Sequence, residues 1–527
     1  MSLMTTLARA EAAAAGRARP IATVRHRHVS ERPLVFVPLT TAGEVGAPLG
    51  ALVGTMAEAP RLLVVPQPRD RDLRFAFLAE LAQVVLPYVE GFADEVEIEP
   101  ATRNREESEV CADAPQIVVP NPAALDYVRL LGRSTRFRRT AEDDPDEPYP
   151  VPARVPLLGR WLTHYGERAR TPGAGLLVAI TELLTRHWTT GQSNLEDQHL
   201  GSLLAWIDPP EGMSGPRAAR RAETQRGADG LLLCPPAGPA TDPVFDNTAL
   251  APAMARYDAA RSAAREAEAA AIASLAAETA EAGIRELVAS QLRPTWDMVW
   301  RGLDLLRALP EGAHVAERWK RDRWSYTGHR DRVLAGEPPQ PKRDDAIAAA
   351  QKLAGRETAQ VRLEAQEALD DPLVMAGQRL AGQAFVGEVT DVEMAYSEGK
   401  RPIPRPLVTM ATDDRPQLDS GTKVYRALPE AKSAQSAEAV ATDLVATDIP
   451  ETVVLRLLGG MGSGRVPKEG SVPEKGDLIC WTLFEHAPRG GAELPDPEDT
   501  PWTHGGPPGG SPPAADAPDP LTPEDYL

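Results

Sequence analysis

A short apolar run ending in proline recurs four times in the first half of this chain and limits its fold more than any other feature. The runs are "LVFVP" (34–38), "LLVVP" (62–66), "IVVP" (117–120) and "LLLCP" (231–235). Unbroken Val/Leu/Ile runs of this length suit strands buried on both faces. Proline ends them because it cannot donate to a ladder. Helical spacing follows two of the runs, with Phe77, Leu81 and Val84 on one stripe and Leu125, Val128 and Leu131 on another. Strand, loop and helix in repetition predict an α/β region over 31–137, after a flexible segment 1–30. Within it, "DEVEIEP" (94–100) alternates acid with apolar residues, as a half-exposed edge strand does.

The character changes downstream. The stretch 138–156 is acidic and Pro-rich and reads as a linker or exposed loop. Residues 157–250 read as mainly helical, including "GAGLLVAITELLTRHWTTG", with one further strand at 231–235. Residues 251–382 form a helical domain opened by a long Ala/Glu-rich helix, expected as a lone helix or an antiparallel hairpin. Pro294 is expected to break that helix, with Thr295 capping the next one. From 383 to 487 the apolar period becomes two, in "AFVGEVTDVEM", "PLVTMAT", "TKVYRAL", "TVVLRLL" and "DLICWTLFE". Five short strands with Gly, Pro and Asp between them predict a small barrel or sandwich, of which the β-barrel is the leading form. The Pro/Gly/acidic tail 488–527 is expected to be disordered. The fold class is therefore α+β and multi-domain: an N-terminal α/β region, a helical middle and a small C-terminal β-barrel.

Charge bounds the function. The net charge is −19, whereas proteins that live on the phosphate backbone show a broad basic surface. Much of the acid is local, in "EDDPDEP" (142–148) and "ELPDPEDTP" (493–501), so one folded face can still be basic. Cys111, Cys234 and Cys480 lie far apart with no CxxC, which points to a reducing compartment and away from a cysteine-built zinc site. No signal peptide and no membrane span is legible, so the expectation is a cytoplasmic protein without membrane contact. No cofactor is expected.

Four stretches carry candidate chemistry. "GGMGSGRVP" (459–467) has the first spacing of a phosphate-binding P-loop, but Arg465, Val466 and Pro467 replace the Lys and Ser/Thr and a strand pattern follows. It reads as a Gly-rich connection between strands, from which Arg465 and Lys468 can touch a ligand or nucleic acid. In "RHWTTGQSNLEDQHL" (186–200), Glu196 and His199 have helical metal-site spacing with His187 upstream; a capped helix start with Ser193 or Asn194 as cap is the competing reading. "RHRH" (25–28) reads as a basic flank of the first strand, with phosphate or metal contact as the alternative. In "ERWKRDRWSYTGHRDR" (317–332), six basic residues meet three acidic ones. Glu317–Arg321 and Arg318–Asp322 are expected as i,i+4 pairs. Trp319 and Trp324 stand about 140° apart on a helix, so both cannot face one core. The set Arg318, Trp319, Lys320, Arg321, Arg323, Trp324 and Tyr326 is expected either to pack between domains or to meet a partner protein or nucleic acid.

The segment "AGQRLAGQAFVGEVTDVEM" leading into "KGDLICWTLFE" places helix before small barrel over about 344–485. This layout resembles the barrel insertion of DNA2/Upf1-like superfamily 1 helicases. The Walker A lysine and the Asp-Glu strand of those enzymes are missing. The resemblance implies an accessory protein of such a system, with a helicase-type ATPase as partner and no ATPase of its own. The leading expectation is a non-enzymatic accessory or scaffold subunit of a multiprotein complex that handles nucleic acid, in defence or repair. The alternatives are an enzyme with its site at the strand ends near "PQPRDRD" or "PNPAALD", and a self-assembling structural protein built on the long helix.

Overall fold

A computed structural model describes residues 3–101, 106–236, 238–266, 270–398, 402–428, 433–440, 451–462 and 464–488. All but the first residue of the tail expected to be disordered lies outside this set.

Three of the four strand-proline runs are strands of one central sheet. Its members are β1 (Leu34–Thr41), β2 (Glu44–Gly54), β3 (Arg61–Val64), β4 (Ile117–Val119) and β5 (Leu177–Ala179), in the order β3-β2-β1-β4-β5. The first three form an antiparallel meander, and β1, β4 and β5 run parallel. Period-two alternation splits the apolar residues between two layers. Leu34 and Phe36 join one cluster, while Val35, Val37 and Leu39 join the other. The first layer is covered by the helices α1 (Arg71–Glu90), α2 (Pro122–Thr135) and α3 (Val155–Ala169). The second is covered by α4 (Ala270–Arg307) and the shorter helix Leu200–Ile207.

Four expectations change here. Pro38 does not end β1, which continues to Thr41 opposite β2. The parallel partner β4 reaches only Leu34 and Val35, so Pro38 lies where that side of β1 needs no donor. The fourth run, "LLLCP", is not a strand and makes only an isolated bridge at Leu232. The opening of "GAGLLVAITELL" is strand β5, with helix starting at Ile180; a four-residue apolar run has no period that separates the two states. Pro294 lies inside α4 and Thr295 caps nothing. Leu292, Trp296, Val299, Leu303 and Leu306 are all buried along that helix. Their burial, at about 2 kcal/mol each, outweighs a proline cost of about 3 kcal/mol. Within the acidic stretch 138–156, Val151 is buried against the first layer.

The C-terminal strands close into a barrel. They are β6 (Ala384–Glu393), β7 (Leu407–Thr412), β8 (Lys423–Arg426), β9 (Gln435–Ala439), β10 (Glu451–Leu457) and β11 (Leu478–Thr482). The order is β6-β7-β10-β9-β8-β11, all neighbours antiparallel, with β11 pairing back to β6. Phe385, Met410, Leu455 and Trp481 fill the interior. The unforeseen strand is β9.

The barrel is preceded by helices α5 (Val315–Leu334), α6 (Ala346–Asp370) and α7 (Pro372–Leu380), of which α7 packs on β6. Asp371 sits between α6 and α7 with no exposure and caps α7 by accepting Leu373 N–H at 2.9 Å. It also accepts the backbone N–H groups of Thr23 and Val24 and the Thr23 hydroxyl. One carboxylate thus holds the barrel-bearing helix to the N-terminal segment. Among the described residues no helix is long and apolar enough to cross a membrane.

Candidate functional site

Helix α5 carries the whole of "ERWKRDRWSYTGHRDR", and much of that stretch faces inward. Tyr326 is wholly buried and donates its hydroxyl to the Val89 carbonyl at 2.7 Å. Trp319 is buried, donates its indole N–H to Asp113 at 2.8 Å, and stacks on His28 with ring centres 4.0 Å apart. Trp324 is half-buried. Arg323 donates to the Cys111 carbonyl at 2.9 Å, and Lys320 pairs with Glu99 at 2.6 Å. Glu97, which pairs with Arg323, and Glu99 belong to the "DEVEIEP" strand Val96–Glu99. The expected Glu317–Arg321 pair forms, and the expected Arg318–Asp322 pair does not. Asp322 is instead buried and accepts Arg168 Nε at 2.8 Å and Gly175 N–H at 2.7 Å. Burial raises its pKa, and Arg168 works against that shift. The picture of one surface patch therefore gives way: Arg318, Trp319 and Tyr326 are interior, while Lys320 and Arg321 keep contact with solvent. Replacing Trp319 with Ala should cost about 4 kcal/mol in urea denaturation, as for other large buried aromatics.

Three stretches flagged separately in the sequence meet behind α5. Arg318 donates to Gln366 at 2.9 Å and to the His26 carbonyl at 3.0 Å. His26 stacks on His187 with ring centres 5.7 Å apart, and its backbone N–H donates to His187 Nε2 at 3.2 Å. Arg27 pairs with Glu367 of α6 at 3.1 Å. Burial, together with the neighbouring Arg186, pushes the Arg27 pKa down to about 10. The "RHRH" segment is thus locked into the body and does not flank it.

In front of this cluster lies a cleft lined by guanidinium groups. Two adjoining hollows share the loop Thr171–Gly173 as a wall. The smaller, about 350 Å³, is lined by Arg168, Arg318, Arg321 and Arg362, with no carboxylate among its lining residues. The larger, about 570 Å³, takes Arg9, Arg27, Arg170 and Arg186 together with Glu182 and Asp197. Gly173 has φ +87°, and a Cβ there would come within 3.3 Å of the Arg318 side chain. A side chain at this position is strained in the backbone and crowds the cleft wall.

Positive charge exceeds its local partners. Glu367 serves both Arg27 and Arg186, and Glu167 serves both Arg170 and Arg356. Arg362 donates to a neutral carbonyl, that of Pro488, at 3.0 Å. Burial lowers the pKa of Arg362, and Arg321 beside it lowers it further. Arg356 is lowered by burial and then by Arg170. Each guanidinium has five donors, so one carboxylate does not exhaust it, and donors left over in such a cleft can accept an anion.

The other candidates do not converge. His199 caps the helix Leu200–Ile207 by accepting Ser202 N–H, while Glu196 accepts the N–H of Ser193. Among the described residues no group of three or more His, Cys, Asp and Glu is placed to hold a metal. The Gly-rich stretch joins β10 to β11 and leads into no helix. Arg465 and Lys468 are exposed on it, far in sequence from the cleft arginines. The strand ends near "PQPRDRD" and "PNPAALD" each open on a hollow, of about 650 and 640 Å³ respectively. At the first, Glu44 pairs with Arg69 and Asp246 accepts from Ala42 N–H and the Thr241 hydroxyl. Sequence reasoning missed Arg168, Arg170, Arg356 and Arg362, which stand singly on α3, α6 and the loop after α3 with no local motif. Comparison with known proteins found no matching family model, no similar curated protein and no similar solved structure.

Proposed function

We propose that this chain is an accessory subunit of a multiprotein assembly and that it engages nucleic acid through the arginine-lined cleft. The observation that carries the reading is the hollow lined by Arg168, Arg318, Arg321 and Arg362, in which Asp322, Asp370 and Glu317 back the first three and Arg362 is bonded to a neutral carbonyl, in a chain of net charge −19. Donors left over on clustered arginines, in an otherwise acidic chain, favour a defined polyanion contact over diffuse attraction. Arginine suits phosphate because its planar fork binds two oxygens at once. A helicase-type ATPase is the proposed partner, from the helix-then-barrel layout of 344–485.

The test is equilibrium binding of a fluorescent single-stranded oligonucleotide over a range of salt. Arg321 and Arg362 are half-exposed, so replacing both with Ala leaves the buried cluster intact. Losing two phosphate contacts should lower the slope of log affinity against log salt by about 1.4. An unchanged slope and affinity, or no binding at any salt, would sink the proposal.

A further inference from the structure

The short helix Ile180–Thr185 starts where strand β5 ends. Ile180, Leu183 and Leu184 are buried in the second layer and fix which way this helix turns. Position 182 falls on the opposite side. Glu182 therefore lines the larger hollow, together with Arg186 one turn on. Their i,i+4 spacing favours an ion pair. It does not form, because Arg186 goes to Glu367 at 3.4 Å. The other charged groups of this hollow are committed as well. Arg9 donates to Asn194 at 2.6 Å, and Arg27 and Arg170 pair with Glu367 and Glu167. Asp197 accepts from Thr190 at 2.8 Å and from Gln192 at 2.9 Å. Among the described residues the Glu182 carboxylate has neither a hydrogen bond nor an ion pair. It stays open to solvent, yet the walls around it withhold enough water to raise its pKa, against the pull of Arg186 and Arg27.

We infer that Glu182 reads guanine: its two carboxylate oxygens accept N1–H and the 2-amino group of an unpaired guanine in a single strand laid in the cleft. The inference rests on the reading of the cleft as a nucleic-acid site and gives that site a base preference. An unpaired carboxylate repels a phosphate backbone, so it lowers affinity in such a cleft unless a base meets it. The contact it can make is selective. A carboxylate only accepts, and it accepts two parallel bonds well. Guanine sets two adjacent donors, N1–H and the 2-amino group, on its Watson–Crick edge. Adenine and cytosine put a ring acceptor beside their one amino group, and thymine flanks its N3–H with two carbonyls. Each of those bases would turn a lone pair towards Glu182 along with its donor. The edge is free only in a single strand. Trp188, half-buried in the wall of the same hollow, gives the base a ring to stack on. A hollow of about 570 Å³ lies within the usual range for small-ligand sites and admits one nucleotide.

The test uses the full chain and fluorescent oligothymidine strands of equal length, with a central run changed to dG, deoxyinosine, dA or dC. Equilibrium binding at low salt should favour the dG strand about tenfold over the dA and dC strands, as a bidentate base contact does. Deoxyinosine keeps N1–H and lacks the 2-amino group, so its strand should fall between them. Glu182→Gln replaces one acceptor with a donor and should bring the dG strand within about twofold of the dA strand. Deoxyinosine bound as tightly as dG would remove the two-bond contact, and a dG preference that survives Glu182→Gln would move the contact to another residue; either result overturns the inference. Equal affinity of the parent chain for all four strands overturns it too, while the cleft reading then stands or falls on the Arg321→Ala, Arg362→Ala variant. Binding of none of the strands at any salt ends both.

Discussion

Lowering the pH from neutrality to about 5 should cost the folded protein about 4 kcal/mol through two buried histidines. His187 and His329 are both almost fully buried. Burial pushes their pKa values from 6.5 down to about 4 and about 3. His329 stacks on His164 with ring centres 4.1 Å apart, and Arg332 and Arg160 face it. His187 has the Leu183 carbonyl at 2.7 Å, with His26, Arg27 and Glu367 around it. Above pH 6.5 both rings are neutral whether the chain is folded or not, and they contribute no pH dependence. Below it the unfolded chain takes up protons that the folded chain refuses, so stability falls as pH falls, by about 2 kcal/mol per ring at about pH 5. Asp322 opposes this slope, because its raised pKa makes the fold more tolerant of acid. His329→Phe isolates the effect. Urea titrations at a series of pH values should show the variant losing about 2 kcal/mol less than the parent over the same interval. Parallel curves would contradict the assignment.

Asp371→Ala should destabilise the protein by about 3 kcal/mol and loosen the barrel from the body. The side chain is fully buried and accepts from four donors, three of them backbone N–H groups of Thr23, Val24 and Leu373. Alanine leaves those donors without a partner in a site closed to water, which costs far more than one exchanged hydrogen bond. The barrel side keeps its own clamp, Arg379 bidentate on Asp414 at 2.7 and 3.1 Å. The expected proteolytic cut therefore falls near the α6–α7 joint, before the barrel. Limited proteolysis should release an intact fragment beginning between 371 and 384, with a lowered Tm for the parent body. An unaltered Tm with no new fragment would remove Asp371 from this role.

The sequence carried the barrel better than the site. In β10 the buried positions Val453, Leu455 and Leu457 follow a period of two, and in β7 Val408 and Met410 do as well, with Thr412 buried on the same face. Strand β9, "QSAEA", has no large apolar residue, so only its neighbours β8 and β10 make it a strand. In the central sheet, β1 and β4 were plain as apolar runs. β2 was hidden by Gly46, Pro48 and Gly50, which a strand pattern normally excludes. Pro294 misled because a local rule was overridden by the packing of Trp296 and its neighbours. The cleft was legible only in part. Arg318 and Arg321 stood out by their density in one helix. Their partners come from α3, α6 and the loop after α3, roughly 150 residues upstream or 40 downstream, a separation that no local window spans. "RHRH" and His187 were singled out for metal or phosphate, and their proximity to Arg318 came from tertiary packing alone.

Where a bound strand lies on the protein is the most direct question that can be asked of this account. A single-stranded oligonucleotide with photoreactive bases can be cross-linked to the full chain at low salt and the modified peptides read by mass spectrometry. Cross-links are expected in residues 168–175 and in α6 between 355 and 366, lost when Arg321 and Arg362 are replaced with Ala. Cross-links confined to the barrel loop that carries Arg465 and Lys468, or none at any position, would contradict that placement.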